Sequence, residues 1–262
     1  MRKSNFGLEL PPAGLPGIFT QKKMRYRSLI IAAVLVLAGL RVSAHALWIE
    51  TSPTGKKGQP QEVRVFWGEF GDKDISPLDK WFSDTKAYKL SVITPDKKVI
   101  PLTSAPGTDH YKAYFTPETE GVYTVVMQHS VKDLYHGSRL DYHASAAVVV
   151  GNAPAAAAGN ALNANPLKVE TAARNKYKVN ESIPLGVALH QAAAKSNEVE
   201  VIAPNGWVRK LYTDSTGAAT FTPLWPGRYM VEVANTDKKG GQHNGKPYEA
   251  VWRCATYCIE VE

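Results

Sequence analysis

The chain has 262 residues, a formal net charge of +7 and two cysteines. The first 44 residues hold seven of the 31 Lys/Arg and one of the 24 Asp/Glu, so the remainder carries 24 basic against 23 acidic residues, a net of +1. The basic excess belongs to the amino-terminal segment, which removes the electrostatic case for a nucleic-acid partner, and two cysteines cannot supply a disulfide framework.

Chain order begins with a leader. Arg25 and Arg27 precede the apolar run Leu29–Leu40, and Val42-Ser43-Ala44 supplies a small-x-Ala end. A basic head, a short apolar segment and small residues at the cut site make a secretory signal peptide. The run falls short of the roughly 20 residues that span a bilayer. Met24 is the natural start of such a leader, which assigns 1–44 to leader and its extension and, with no second long apolar run, predicts a soluble exported protein. Two cleavage sites satisfy the rule. A cut after Ala44, the preferred one, makes His45 the first residue, whereas a cut after Ala46 discards it.

Residues 45–150 read as a β-sandwich. Runs at 46–50, 62–67, 87–93, 98–103, 110–115, 121–129 and 143–150 alternate apolar with polar residues, are rich in β-branched and aromatic types, and are separated by breaks such as Thr94-Pro95-Asp96. Residues 151–166 carry no charge and almost no large apolar group, the composition of a linker. Residues 167–262 repeat the strand pattern at 167–172, 183–189, 198–203, 207–213, 217–222, 227–235 and 249–261. The halves also match in sequence. Lys89-Leu-Ser-Val-Ile-Thr-Pro-Asp parallels Glu198-Val-Glu-Val-Ile-Ala-Pro-Asn, and Phe115-Thr-Pro…Gly121-Val-Tyr parallels Phe221-Thr-Pro…Gly227-Arg-Tyr. The expected fold is all-β, with two tandem sandwiches of immunoglobulin-like or carboxypeptidase-regulatory-like type.

Strand parity narrows the search for chemistry. Successive antiparallel strands reverse direction, so the start of strand one shares an end with the loops 68–86, 104–109 and 130–142. That end gathers His45, His129, His136, His143 and Asp141, with Glu69, Asp72, Asp74, Asp79 and Asp84 in the acidic loop. If strands six and seven pair as neighbours, His129 and His143 face each other at ~4.5–5.5 Å between Cβ atoms. An amino-terminal His adds its α-amine and a ring nitrogen, a chelate that Cu(II) and Ni(II) favour. The reading is a divalent-metal site of His45, two of the three other histidines and Asp141. Its competitor is a set of incidental strand-end histidines with a solvated acidic loop; the six-residue spacing follows no strict zinc template.

Cys254 and Cys258 lie four apart in a strand pattern, ~13 Å if extended, against the ~4.4–6.8 Å between Cα atoms that a disulfide needs. A bulge permits a bridge; free thiols and a thiol metal site are the other readings. His243 sits in a Gly/Lys/Asn-rich turn as a weak metal candidate. No nucleophile elbow, phosphate loop, His-Glu-x-x-His or supported triad is present in the sequence, and no enzyme activity is expected.

Three motifs carry a resemblance: Ala44-His45-Ala46-Leu-Trp48-Ile-Glu50 after the leader, Gly121-Val-Tyr123, and Ala255-Thr256-Tyr257 in the last strand. In these the chain resembles the nickel-uptake-associated (NikM-like) periplasmic proteins over most of 44–262. The resemblance implies two β-sandwich domains, uptake of nickel or cobalt, and a membrane uptake component as partner. It carries over onto Ala44, His45 and Trp48 alone; family members often have Tyr-x-Lys at Asp141-Tyr142-His143. Two other classes stand beside it. One is an envelope scaffold or carbohydrate-binding module using Trp67, Trp81, Trp207 and Trp225. The other is a copper oxygenase with an amino-terminal histidine brace, against which the absence of its usual disulfides counts.

Overall fold

The computed structural model describes residues 45–152 and 162–262; the expected leader and residues 153–161 of the expected linker lie outside them. The first half forms ten strands: β1 (Ala46–Thr51), β2 (Thr54–Gly55), β3 (Gln61–Glu69), β4 (Asp74–Ile75), β5 (Lys89–Ile93), β6 (Val99–Pro101), β7 (Ala105–Pro106), β8 (Tyr111–Phe115), β9 (Gly121–Ser130) and β10 (Ser138–Val150). The second half forms ten more: β11 (Leu167–Glu170), β12 (Ile183–Leu189), β13 (Ala192–Ala193), β14 (Glu198–Ile202), β15 (Val208–Tyr212), β16 (Ala218–Phe221), β17 (Gly227–Asp237), β18 (Gly241–His243), β19 (Lys246–Tyr248) and β20 (Ala250–Val261). Two 3-10 turns, Leu78–Lys80 and Thr85–Ala87, are the helical pieces among the described residues. The fold is all-β, as the alternation predicts.

The repeated motifs meet in space, which explains why they repeat together. Gly121 and Gly227 open β9 and β17 at φ of 140° and 122°, a region that L side chains rarely adopt. A Cβ on Gly121 would come within 2.5 Å of Pro95, and one on Gly227 within 3.0 Å of Pro204. The tyrosine two residues on ties down the preceding loop. Tyr123 Oη donates to the Thr119 carbonyl and accepts from its N–H; Tyr229 Oη does the same with Trp225.

Each half puts a small sheet against a large one. The small sheets run β1-β3-β8-β7, with β4 on β3, and β11-β12-β13, with β16 on β12. The two large sheets fuse through β10 and β20, which run parallel from Ser138↔Ala250 to Ser145↔Tyr257. The result is one nine-stranded sheet in the order β15-β14-β17-β20-β10-β9-β5-β6, with β2 beside β10. Sequence reasoning places a linker between the halves and does not anticipate this shared sheet.

Alternation along the seam assigns the two cores to opposite faces of that sheet. Leu140, Tyr142, Ala144, Ala146, Val148 and Val150 enter the first core together with Cys254. Ala255, Tyr257, Ile259 and Val261 enter the second, with Ala147 packed against it. Tyr142 pairs with Cys254 and His143 with Ala255, so neighbouring pairs look opposite ways. A third cluster joins the halves. Trp48 and Phe66, on the outer face of β1 and β3, pack with Ile202 and Met230, with Phe70, Ile75 and Cys258 at the margin. The first small sheet is therefore covered on both faces, and Leu47, Trp48 and Ile49 are all buried. Thr256 Oγ1 donates to the Leu47 carbonyl at 2.8 Å, and Arg228 bridges Glu50 and Glu260. β20 runs without interruption through Cys254 and Cys258, which are free thiols.

Candidate functional site

The strand ends assemble one rim. β1 begins beside the end of β3, where Ala46 pairs with Gly68. β8 begins nearby, with Tyr111 opposite Val65, and β5 begins beside the end of β9, with Lys89 opposite Gln128. His45, Glu69, the 70–88 loop and the 131–137 loop therefore share an end, as parity requires. An aromatic chain runs inward from it. The His45 ring is 5.5 Å from Trp67, Trp67 is 5.1 Å from Tyr142, and Tyr142 is 5.5 Å from Trp252.

At this rim His45 Nδ1 lies 3.3 Å from Glu69 Oε1, on a half-exposed ring. His129 takes a different partner. Its Nε2 is 3.1 Å from Asp84 Oδ1, which also accepts the Lys132 N–H at 2.8 Å. Burial alone would raise the Asp84 carboxyl, but these two hydrogen bonds outweigh it and hold it below the usual carboxylate range. His136 is exposed in the turn, at φ 45°, with its ring 4.3 Å from Tyr135. Asp72, Asp74 and Asp79 are exposed.

His129 and His143 do not face each other. The β9–β10 ladder pairs Val125 with Ala146, and further along Val131 N–H donates to the Leu140 carbonyl. This register sets His129 opposite Tyr142 and His143 opposite Gln128. His129 thus takes the first-core face, with Val125 and Met127, and His143 the other. The shared site expected from His45, His129, His136, His143 and Asp141 is not assembled. Among the described residues no three His, Cys, Asp or Glu side chains are grouped so as to hold a metal ion. What the structure does bring together at the rim are two separate pairs, His45 with Glu69 and His129 with Asp84. His243 is engaged elsewhere, with Nε2 2.8 Å from the Val131 carbonyl. Trp67 and Trp81 are core residues, whereas Trp207 is 46% exposed and pairs with Trp225 at 5.8 Å.

Sequence reasoning missed a second polar centre at the seam. Asp141 is buried and accepts from Arg139 Nη2 at 2.7 Å, Arg139 Nε at 3.1 Å and Ser130 Oγ at 2.6 Å. Arg253, its register partner on β20, stands with Nε 3.9 Å from Asp141 Oδ2. His143 is 3% exposed. Burial pushes its pKa down to about 4, Asp141 opposing and Arg253 reinforcing. The signal available in the sequence was the ion-bearing pattern Arg139-Leu-Asp141 and Arg253 inside otherwise apolar strands.

An all-β protein of two fused sandwiches, with a histidine at the first strand's entrance, is the class these features define. The chain belongs to the family described as Domain of unknown function (DUF4198), whose signature matches residues 42–237. No curated protein matches it. Solved structures similar to it include Salmonella alpha-2-macroglobulin reacted with methylamine, at 14% identity and TM-score 0.26, covering 82% of this chain and 15% of that one. The Ca2+-stabilized adhesin of an Antarctic bacterium that binds ice matches at 10% identity and TM-score 0.26, over 83% of this chain and 49% of the adhesin. A biofilm-associated protein BSP domain matches at 12% identity and TM-score 0.24, over 82% and 30%. The chain spans less than half the length of each, and superpositions this loose transfer nothing beyond a β-rich fold.

Proposed function

We propose that this is a periplasmic protein, cut after Ala44, that captures a divalent transition metal (nickel, cobalt or copper) at its new amino terminus and serves a membrane metal-uptake component. The observation that carries the reading is the approach of His45 Nδ1 to Glu69 Oε1 at 3.3 Å. The imidazole and the α-amine of a terminal His45 chelate the ion, and Glu69 adds an oxygen; water or a partner's groups fill the remaining positions. The resemblance in Ala44-His45-Ala46-Leu-Trp48 supports the same assignment. Here the metal is cargo, and a half-exposed two-residue site suits an ion that must be handed on.

The test is calorimetry with Ni(II), Co(II) and Cu(II) on protein beginning at His45. One ion per chain is expected. Binding should fall at least tenfold in His45→Ala and in protein with one residue added before His45. Quenching of Trp67, 5.5 Å from the ring, should follow the same titration for Cu(II). Heats no larger than those of the His45→Ala protein would end this reading. One observation favours an envelope-binding module instead, the exposed Trp207 set against the half-buried Trp225. Recovery of the same envelope partner with and without chelator, lost in Trp207→Ala, would favour it.

A further inference from the structure

The seam cluster contains more hydrogen-bonding capacity than its own members use. Arg253 is 5% exposed, yet its Nε and Nη1 have no hydrogen-bond partner. His143 Nδ1 is likewise buried and unpartnered. Arg139 and Ser130 make three hydrogen bonds to Asp141, and Arg253 Nε stands 3.9 Å from Asp141 Oδ2, beyond hydrogen-bond reach. Arg139 and Arg253 against Asp141 leave one positive charge in excess. A buried guanidinium without full pairing is strongly disfavoured, so this arrangement is prepared for an oxygen anion, which an arginine fork binds by charge-assisted hydrogen bonds.

Arg253, Asp141 and His143 share the second-core face of the sheet, and the β9–β10 register sets Gln128 beside His143 on that face. Gln128 lines a cavity of about 420 Å³ whose wall also includes Lys89, Leu90, Val126, Leu162 and Asn165. Asn165 Nδ2 donates to the Met127 carbonyl, while its Oδ1 is buried and unpartnered. One wall of this cavity is thus the strand neighbour of His143, with a lysine among the cavity residues.

We propose that Arg253 and His143 form a binding site for a small carboxylate anion at the junction of the two halves, entered from the cavity beside Gln128. One negative charge matches the excess of one positive charge. Arg253 Nε and Nη1 donate to the carboxylate oxygens, and His143, whose other ring nitrogen meets the Cys254 backbone, lines the site. The ligand would bond to strands of both halves at once. The site is separate from His45 and does not depend on metal capture.

The experiment is thermal unfolding of the mature chain in sodium acetate, sodium phosphate and sodium chloride at equal ionic strength. Acetate is expected to raise the melting temperature by about 3 °C or more above chloride, saturating with concentration. Arg253→Met, which keeps the side chain's bulk, should melt at one temperature in all three salts. Arg253→Lys should keep the charge and lose most of the acetate shift. Circular dichroism identifies a variant that has failed to fold, and in that case acetate binding to the unaltered protein, followed by calorimetry and by the His143 ring resonances, decides. Equal melting in acetate and chloride overturns the proposal, as does an acetate shift that survives in Arg253→Met. A response to phosphate alone overturns the carboxylate assignment.

Discussion

Replacing Trp48 with Ala is expected to cost about 3–5 kcal/mol of folding stability, the range for removing a large buried aromatic side chain. Trp48 is 1% exposed, stacks on Phe66 at 5.4 Å and meets Phe70 edge-on at 5.9 Å. Its Nε1 donates to Glu50 Oε1 at 3.1 Å, and Glu50 is the residue that Arg228 reaches from the second half. The substitution therefore opens a cavity in the cluster that joins β1 and β3 to Ile202 and Met230. Urea unfolding followed by circular dichroism measures the loss. Trp207→Ala is the control; at an exposed position it should change stability by less than about 1 kcal/mol. The seam β10–β20 remains hydrogen-bonded in Trp48→Ala, so the expected pattern is one transition at lower urea. A loss under 1 kcal/mol would mean that Trp48 does not hold the halves together.

The strands were legible because their chemistry is local. Period-two alternation and the Pro…Gly-x-Tyr pattern fixed where β5, β9, β14 and β17 begin, and the structure shows the contact, Pro95 on Gly121 and Pro204 on Gly227, that makes the pattern recur. The shared sheet was not legible. β10 opens with the polar residues Arg139 and Asp141, so its start at 138–142 reads as loop, and nothing in β10 or β20 names the other as its neighbour. The same holds for Leu47-Trp48-Ile49, buried on both sides. The candidate site failed in one specific way. Parity brought the correct strand ends to one rim, but which face a residue takes depends on register, and a slip of one residue reverses it. Placing His129 directly opposite His143 needs a pairing one residue away from the one that joins Val125 to Ala146. That single step separates the two imidazoles by the thickness of the sheet. It also hides His143 among Asp141 and Arg253, whose partnership arises from the parallel β10–β20 pairing.

The buried imidazole makes stability depend on pH in a direction that can be worked out. His143 has a pKa of about 4 in the fold, against about 6.5 in an unfolded chain. Between those values the unfolded state binds the extra proton, so stability rises with pH. The contribution is complete above pH 6.5 and is lost as pH falls towards 4. The charged groups facing His143 are Asp141, which moderates the effect, and Arg253 and Arg139, which strengthen it. A drop from pH 7.5 to 5 should remove about 2 kcal/mol through this residue alone. Glu232 acts oppositely. Burial, then Glu200, raise its pKa to about 7, with a hydrogen bond to Cys254 opposing, so its contribution is present below about pH 4.5 and is lost as pH rises through 7. In the unaltered protein the two slopes offset each other between pH 5 and 6.5, and stability should change little there. Glu232→Gln should uncover the His143 slope, with stability climbing from pH 5 to 7.5, and adding His143→Gln should flatten it again. Staying at or above pH 5 keeps the paired carboxylates, such as Asp84, ionised in both states. Urea midpoints at each pH measure the slopes, and the His143 ring resonances should show no titration above pH 5. A His143 titration near 6.5, or a flat profile for Glu232→Gln, would show that the imidazole is hydrated in the fold and that the seam is open to water.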